Sequence, residues 1–325
     1  MCTWRMIYDV IIIGAGPAGL SAAIYAGRAR LNTILVEMSN AGGQIGTTAE
    51  VENYPGGPAE GESGWALAER MSKQAERFGA KRIMGEIISV QLLGDVKTAT
   101  LSDGKKLSAK TIIIAAGATP RPIGCENEND FIGRGISFCA TCDANFFRNK
   151  EVYVAGGGDS AIEEALHLTK FARLVTIIHR REEFRAAKSI QEKAFSNEKI
   201  RVIFNSVIRR VGGDGVLSEI DVRNVETGEI TKLTADEKDG MFGLFVFLGT
   251  LPNSAIFSQN LPLEDGFIRT DEDMQTNIPG VFAAGDVRVK SFRQAVTAAA
   301  DGAISALRAE KYLESVSTAK VGREL

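Results

Sequence analysis

Cys139-Ala140-Thr141-Cys142 is a dithiol spaced for redox work. Cys-x-x-Cys spacing favours a lowered thiol pKa and reversible exchange, so the pair can accept and pass on two electrons. A zinc site would need four ligands. No second cysteine pair exists, and the only histidines, His167 and His179, belong to another motif. A purely structural disulfide between such near neighbours would close a tiny loop and stabilise little. The redox reading is therefore preferred. Exchange also moves protons, and Asp143, adjacent to Cys142, is the acid/base candidate. The same residue could instead cap a turn over Ala144 to Phe147, and the sequence leaves both roles open. Cys2 and Cys125 are isolated and read as bystanders.

Two glycine fingerprints flank this pair. Gly14-Ala15-Gly16-Pro17-Ala18-Gly19 follows the apolar run Val10 to Ile13, and Gly156-Gly157-Gly158-Asp159-Ser160-Ala161 follows Val152 to Ala155. Such loops let backbone approach a pyrophosphate, and the helix that each one opens supplies N–H donors and a positive dipole end. The competing reading, a tight turn without a ligand, is weakened by context. Each loop follows a strand, opens a helix and has a charged residue at the same offset. Counting 23 residues from the first glycine reaches Glu37 in one copy and His179 in the other. An acid there can bond a ribose diol. The run His179-Arg180-Arg181, with Arg185 close behind, suits the 2′-phosphate of NADPH. The alternative for these arginines is a solvated face, partly offset by Glu182 and Glu183.

The elements that must position these groups follow from apolar periodicity. Strand, turn, helix and strand are expected at Tyr8 to Ile13, Pro17 to Arg28 and Thr33 to Val36. A helix is expected from Gly64 to Phe78 and a strand through Thr111 to Ala115. Pro120 and Pro122 mark a crossing into a second unit, with a helix over Ser160 to Phe171 and strands at Leu174 to Ile178 and Leu244 to Gly249. Pro252-Asn253 marks the return. A last helix is expected from Gln294 to Leu313, followed by a polar tail without structure. The fold class is α/β, with two Rossmann-like three-layer domains. Residues 1–118 and 252–325 form one discontinuous domain, and 119–251 form the inserted one. A net charge of −3 gives no reason to expect nucleic acid or an anionic membrane as partner. No apolar run is long enough for a membrane span. The isolated cysteines point away from a secreted disulfide framework and toward the cytoplasm.

Together these motifs resemble the low-molecular-weight thioredoxin reductases over nearly the whole chain. The resemblance is carried by the first glycine loop, Gly42-Gly43-Gln44, Glu50 to Gly56, Cys139 to Asp143, His179-Arg180-Arg181 with Arg185, Gly280 to Asp286 and Arg293-Gln294-Ala295. Glutathione and lipoamide reductases carry their cysteine pair in the first domain, near Gly42 to Thr48, where this chain has none. The resemblance implies an FAD enzyme, usually a homodimer, that reduces thioredoxin with NADPH. FAD would be held at Gly14, Ala15, Gly16, Pro17, Ala18, Glu37, Gly43, Gln44, Asn53, Gly117, Gly285, Asp286, Arg293, Gln294 and Ala295. NADPH would meet Gly157, Asp159, Ser160, Ala161, His179, Arg180, Arg181 and Arg185. Cys142 would face the flavin, Cys139 would attack the substrate disulfide, and Asp143 would serve as acid/base. The family also implies rotation of one domain against the other, with hinges near Gly117 to Pro120 and Gly249 to Pro252. Ala144 departs from the family, whose members often have glycine soon after the aspartate. Asp159, Glu182 and Glu183 keep open another donor such as reduced ferredoxin. A peroxidase partner is the nearest rival, although such enzymes usually carry an N-terminal thioredoxin-like domain ahead of the fingerprint. A flavin-bound redox sensor that does not turn over is a further alternative.

Overall fold

The computed structural model describes residues 6–48 and 51–321; Cys2 and Glu50 lie outside the described residues. The chain begins with β1 (Ile7–Ile13), α1 (Pro17–Arg28) and β2 (Thr33–Glu37), followed by α2 (Gly64–Arg77), β3 (Lys81–Met84), β4 (Ile87–Gln91), β5 (Lys97–Leu101), β6 (Lys106–Ile114) and β7 (Ala118–Pro120). Next come α3 (Glu128–Phe131), β8 (Ile136–Ser137), α4 (Ala140–Asp143), β9 (Glu151–Gly156), α5 (Asp159–Leu168), β10 (Leu174–Ile178), α6 (Lys188–Phe195) and β11 (Ile200–Ile203). A meander of β12 (Ser206–Gly212), β13 (Glu219–Asn224) and β14 (Ile230–Thr234) leads to β15 (Gly243–Phe247) and β16 (Thr250–Pro252). The short strands β17 (Leu263–Glu264), β18 (Phe267–Ile268) and β19 (Val281–Ala283) precede α7 (Ala295–Val321).

The chain divides into two compact units, Met1–Thr119 with Leu251–Leu325, and Pro120–Thr250. In the first, β3, β2, β1, β6 and β19 run parallel in that order. The antiparallel pair β5 and β4 extends from the early part of β6. Val10, Ile11, Ile12, Ile112, Ile113 and Ile114 are fully buried. A parallel sheet covered on both faces needs such unbroken apolar runs. Helix α2 has a different pattern, burying Leu67, Ala68, Met71 and Ala75 on one stripe. Its N-cap, Ser63, accepts a bond from Ala66 N–H at 3.2 Å.

The second unit repeats the plan. Strands β11, β10, β9, β15 and β8 are all parallel, in the order of the first sheet. The copies differ at the last strand. In the first unit it comes from chain beyond the core strands (β19), and in the second from chain before them (β8). The connectors β7 and β16 pair with each other as a two-stranded sheet.

The segment after Tyr312 corrects the sequence expectation, because α7 continues to Val321. Hydroxyl groups of Ser315, Ser317 and Thr318 donate back to the carbonyls of Tyr312, Leu313 and Glu314 at 2.7–2.9 Å. The polar residues are thereby satisfied within the helix, so polarity there did not mean absence of structure. Among the described residues no helix is long and apolar enough to cross a membrane.

Candidate active site

Cys139 and Cys142 are joined as a disulfide, with Cα atoms 5.3 Å apart. Cys139 immediately precedes α4, and Asp143 N–H donates to its carbonyl at 3.2 Å. The Cys139 sulfur lies 3.3 Å from Thr141 Oγ1. Ser137, on β8, links this pair to the neighbouring carboxylate. Its hydroxyl donates to Asp143 Oδ2 at 2.6 Å and accepts from Cys139 N–H at 3.1 Å. Burial pushes the Asp143 carboxyl above the usual aspartate range, and the Ser137 bond opposes the rise. The Asp143 side chain makes no capping bond to the turn Ala144–Phe147. Of the two roles open in the sequence, the cap is the one not seen in the structure. Cys125 is half-buried and unpaired, its thiol pushed up to about 11 by burial and by Glu128. That favours the protonated thiol at neutral pH.

In the first unit the glycine loop is built by close approach. Gly14 has φ +102°, and a Cβ there would lie 2.3 Å from Ala115 O. Ala15 N–H donates to Glu37 Oε2 at 2.6 Å, and Ser39 N–H to Oε1 at 3.1 Å. A carboxylate offers about four acceptor sites, so Glu37 can still take ribose hydroxyls. Gly16 caps α1 with no side-chain bond, and Pro17 is the first helical residue, which leaves the N-terminal N–H groups open to a ligand. Ala18 is buried behind the loop. Gly42 N–H donates to Ala15 O at 2.7 Å, bringing the exposed Gly43 and Gln44 alongside. Gly117 O accepts from Asn253 N–H at 3.0 Å. Asn53 Nδ2 donates to Gln294 Oε1 at 3.2 Å, joining residues far apart in sequence.

Gly285 and Asp286 form a turn after β19, and Arg293 and Ala295 lie at the start of α7. Asp286 Oδ1 and Arg293 Nε are buried without a partner among the described residues. Burial pushes the Asp286 carboxyl up, while Lys290 and Arg293 pull it down. The turn rests on Asp301, which spacing alone did not single out. Asp301 Oδ2 accepts from Gly285 N–H at 3.0 Å and Lys290 Nζ at 2.9 Å, with Arg288 3.6 Å away. The available signal was a lone acid in the run Ala298-Ala299-Ala300-Asp301-Gly302.

In the second unit Gly157 is buried, and a Cβ there would lie 2.3 Å from His179 Nδ1. His179 is thus a buried support beneath the loop, with Nε2 unpartnered among the described residues. Burial pushes its imidazole below the usual range; a bond to the Glu183 backbone opposes this, and the three arginines add to it. Ala161 is likewise buried, packing where a Cβ on Gly156 would fall. Ser160 and Asp159 are exposed at the start of α5, as are Arg180, Arg181 and Arg185 after β10. Among the described residues none of these three arginines is paired with a carboxylate. The Asp159 carboxylate accepts from Ala187 N–H at 2.7 Å.

Two glycine-loop α/β units in one chain, the second carrying a disulfide beside a half-buried carboxyl, define the class of nucleotide-linked dithiol oxidoreductases. The family model described as pyridine nucleotide-disulphide oxidoreductase matches residues 8–302, and the chain belongs to that family. It is 53% identical over 310 residues to the thioredoxin reductase of Peptoclostridium acidaminophilum, covering 95% of this chain and 98% of that protein. Against the thioredoxin reductase of Bacillus subtilis (strain 168) identity is 43%, with 95% and 96% covered. The crystal structure of thioredoxin reductase from Streptococcus pyogenes MGAS5005 superposes with a TM-score of 0.88 at 41% identity, covering 95% of this chain and 99% of that one. The resemblance read from the motifs is borne out.

Proposed function

We propose that the chain is a thioredoxin-disulfide reductase that binds FAD in the unit built from both ends of the chain and NADPH in the inserted unit. It would act as a homodimer in the cytoplasm. The observation that carries this reading is the Cys139–Cys142 disulfide, tied through Ser137 to the half-buried carboxyl of Asp143. The thioredoxin reductases similar along almost the whole chain support the substrate.

The first site fits a flavin dinucleotide. Its open helix N-terminus suits a pyrophosphate, Glu37 keeps acceptor capacity for ribose hydroxyls, and Asp286 and Arg293 leave buried polar atoms that a polar ligand would satisfy. The second site fits NADPH, because three exposed, unpaired guanidinium groups can fork onto a 2′-phosphate. When bound, the two cofactors supply a pair of electrons to sulfur.

The chain's own groups do the rest. The disulfide takes up two electrons and two protons and becomes a dithiol. Asp143, kept protonated to higher pH by burial, would give and retake a proton at this pair. Ser137 orients that carboxyl and holds the Cys139 backbone. By the resemblance to the thioredoxin reductases, Cys139 would be the thiolate that attacks a partner disulfide. The attack forms a mixed disulfide and expels one partner thiol. Cys142 then displaces the second partner sulfur, restoring the Cys139–Cys142 disulfide.

Anaerobic titration tests the reading. NADPH should bleach the flavin absorbance of the purified protein, and oxidised thioredoxin should restore it. Cys142→Ser should abolish thioredoxin reduction and leave FAD bound. Bleaching by reduced ferredoxin and not by NADPH would overturn the donor assignment. A flavin that thioredoxin cannot reoxidise would overturn the substrate.

A further inference from the structure

The arginines stand on residues 180–187, which leave the end of β10 and lead into α6. The glycine loop leaves the end of β9. In NADPH the adenosine ribose joins the pyrophosphate to the 2′-phosphate at a bounded span. A protein that reads both anions must hold these two segments at a matching separation. Two bonds clasp them: Arg185 N–H donates to Gly157 O at 2.8 Å, and Ala187 N–H donates to Asp159 Oδ1 at 2.7 Å. The first is backbone to backbone, so any residue types could make it. The second depends on one side chain.

Asp159 is the first residue of α5, where a bound pyrophosphate would repel its charge. Its carboxylate is turned onto the arginine segment at the start of α6. From the other side, Gln191 Nε2 donates to Ala186 O at 2.7 Å, so the segment is held along both edges. We infer that Asp159, counted by the family resemblance among the residues that meet NADPH, is instead a positioning residue for donor selectivity, its carboxylate setting the arginine segment at the 2′-phosphate without touching the cofactor. The inference rests on the NADPH reading above. It also accounts for an acid at a place that otherwise disfavours an anionic ligand.

The test compares 2′,5′-ADP with 5′-AMP, two ligands that differ only in the 2′-phosphate, by calorimetric titration of the purified flavoprotein. Asp159→Ala should weaken 2′,5′-ADP binding about five- to tenfold and leave 5′-AMP unchanged, in keeping with the loss of one charge-assisted bond at an exposed site. Asp159→Asn keeps an acceptor for Ala187 N–H and should stay within about twofold of wild type. In steady state, Asp159→Ala should raise the KM for NADPH more than that for NADH, with kcat retained. Wild-type binding of 2′,5′-ADP in Asp159→Ala, or an Asn variant as impaired as the Ala one, overturns the inference alone. A wild-type protein that does not prefer 2′,5′-ADP over 5′-AMP overturns the donor assignment and the inference with it.

Discussion

Asp301→Ala should destabilise the turn at Gly285 and Asp286 more than any surface change nearby. The Asp301 and Lys290 side chains are only 10% and 8% exposed, so solvent screens their pairing little. Removing the carboxylate strands the Lys290 ammonium and the buried Gly285 N–H, both of which it accepts from. Breaking a buried pair from one side costs about 3–5 kcal/mol. At about 2–4 °C per kcal/mol for a domain of this size, unfolding should move down by about 6–20 °C. Asp301→Asn keeps an acceptor for Gly285 N–H but leaves Lys290 uncompensated, and should fall between. Asp301→Ala with Lys290→Met removes the pair and should be more stable than Asp301→Ala alone, because Lys290 is then no longer buried without its carboxylate and only Arg288, 3.6 Å from Asp301 in the intact protein, has lost an acidic neighbour. Calorimetric unfolding, with flavin retention read by absorbance, checks the series. An Asp301→Ala protein that unfolds within about 1 °C of wild type and keeps its flavin would refute the reasoning. So would a double variant weaker than the single one.

Two further outcomes follow from the half-buried carboxyls of Asp143 and Asp286. Ser137→Ala removes the bond that draws the Asp143 carboxyl down, so this group should rise further and the alkaline limb of thioredoxin reduction should move to higher pH; an unchanged or lower limb argues against Asp143 as the acid. Asp286 is raised in the fold, so its contribution to stability is present below the ordinary aspartate range and is lost as pH rises through the raised value. In flavin-stripped protein, Asp286→Asn should therefore gain on wild type as pH increases across that window, whereas a constant difference in Tm would contradict the burial argument.

The parts legible in the sequence were those with local causes. Val10 to Ile13 and Val152 to Ala155 announced buried parallel strands by unbroken apolar runs, and the glycines after them announced turns with close backbone contacts. The helix Pro17–Arg28 and the strand Leu174–Ile178 fell at the expected residues for the same reason. What escaped depended on contacts distant in sequence or on competing local bonds. Asp301 acts on a turn that only folding brings to it. Ser137 belongs to a two-residue strand too short to carry a pattern. His179 shared a run with three arginines and was grouped with them, yet lies buried while they are exposed.

On the proposed reading, the two repeats turn one plan toward different ligands by moving a single carboxylate. In the first, the acid stands at the end of the second strand and reaches back to its own loop, Glu37 to Ala15 N–H. In the second, that strand end is followed by His179 and the arginines, and an acid there would neutralise them. The carboxylate stands instead at the start of the helix and reaches across to Ala187, so the clasp is retained and the strand end is left cationic. Placing an acid one residue beyond the counterpart of Glu37 by Arg180→Glu should therefore not convert the second site into a copy of the first. Asp159 would still hold the segment in place, and the new charge would lack the bond to the loop backbone that fixes Glu37.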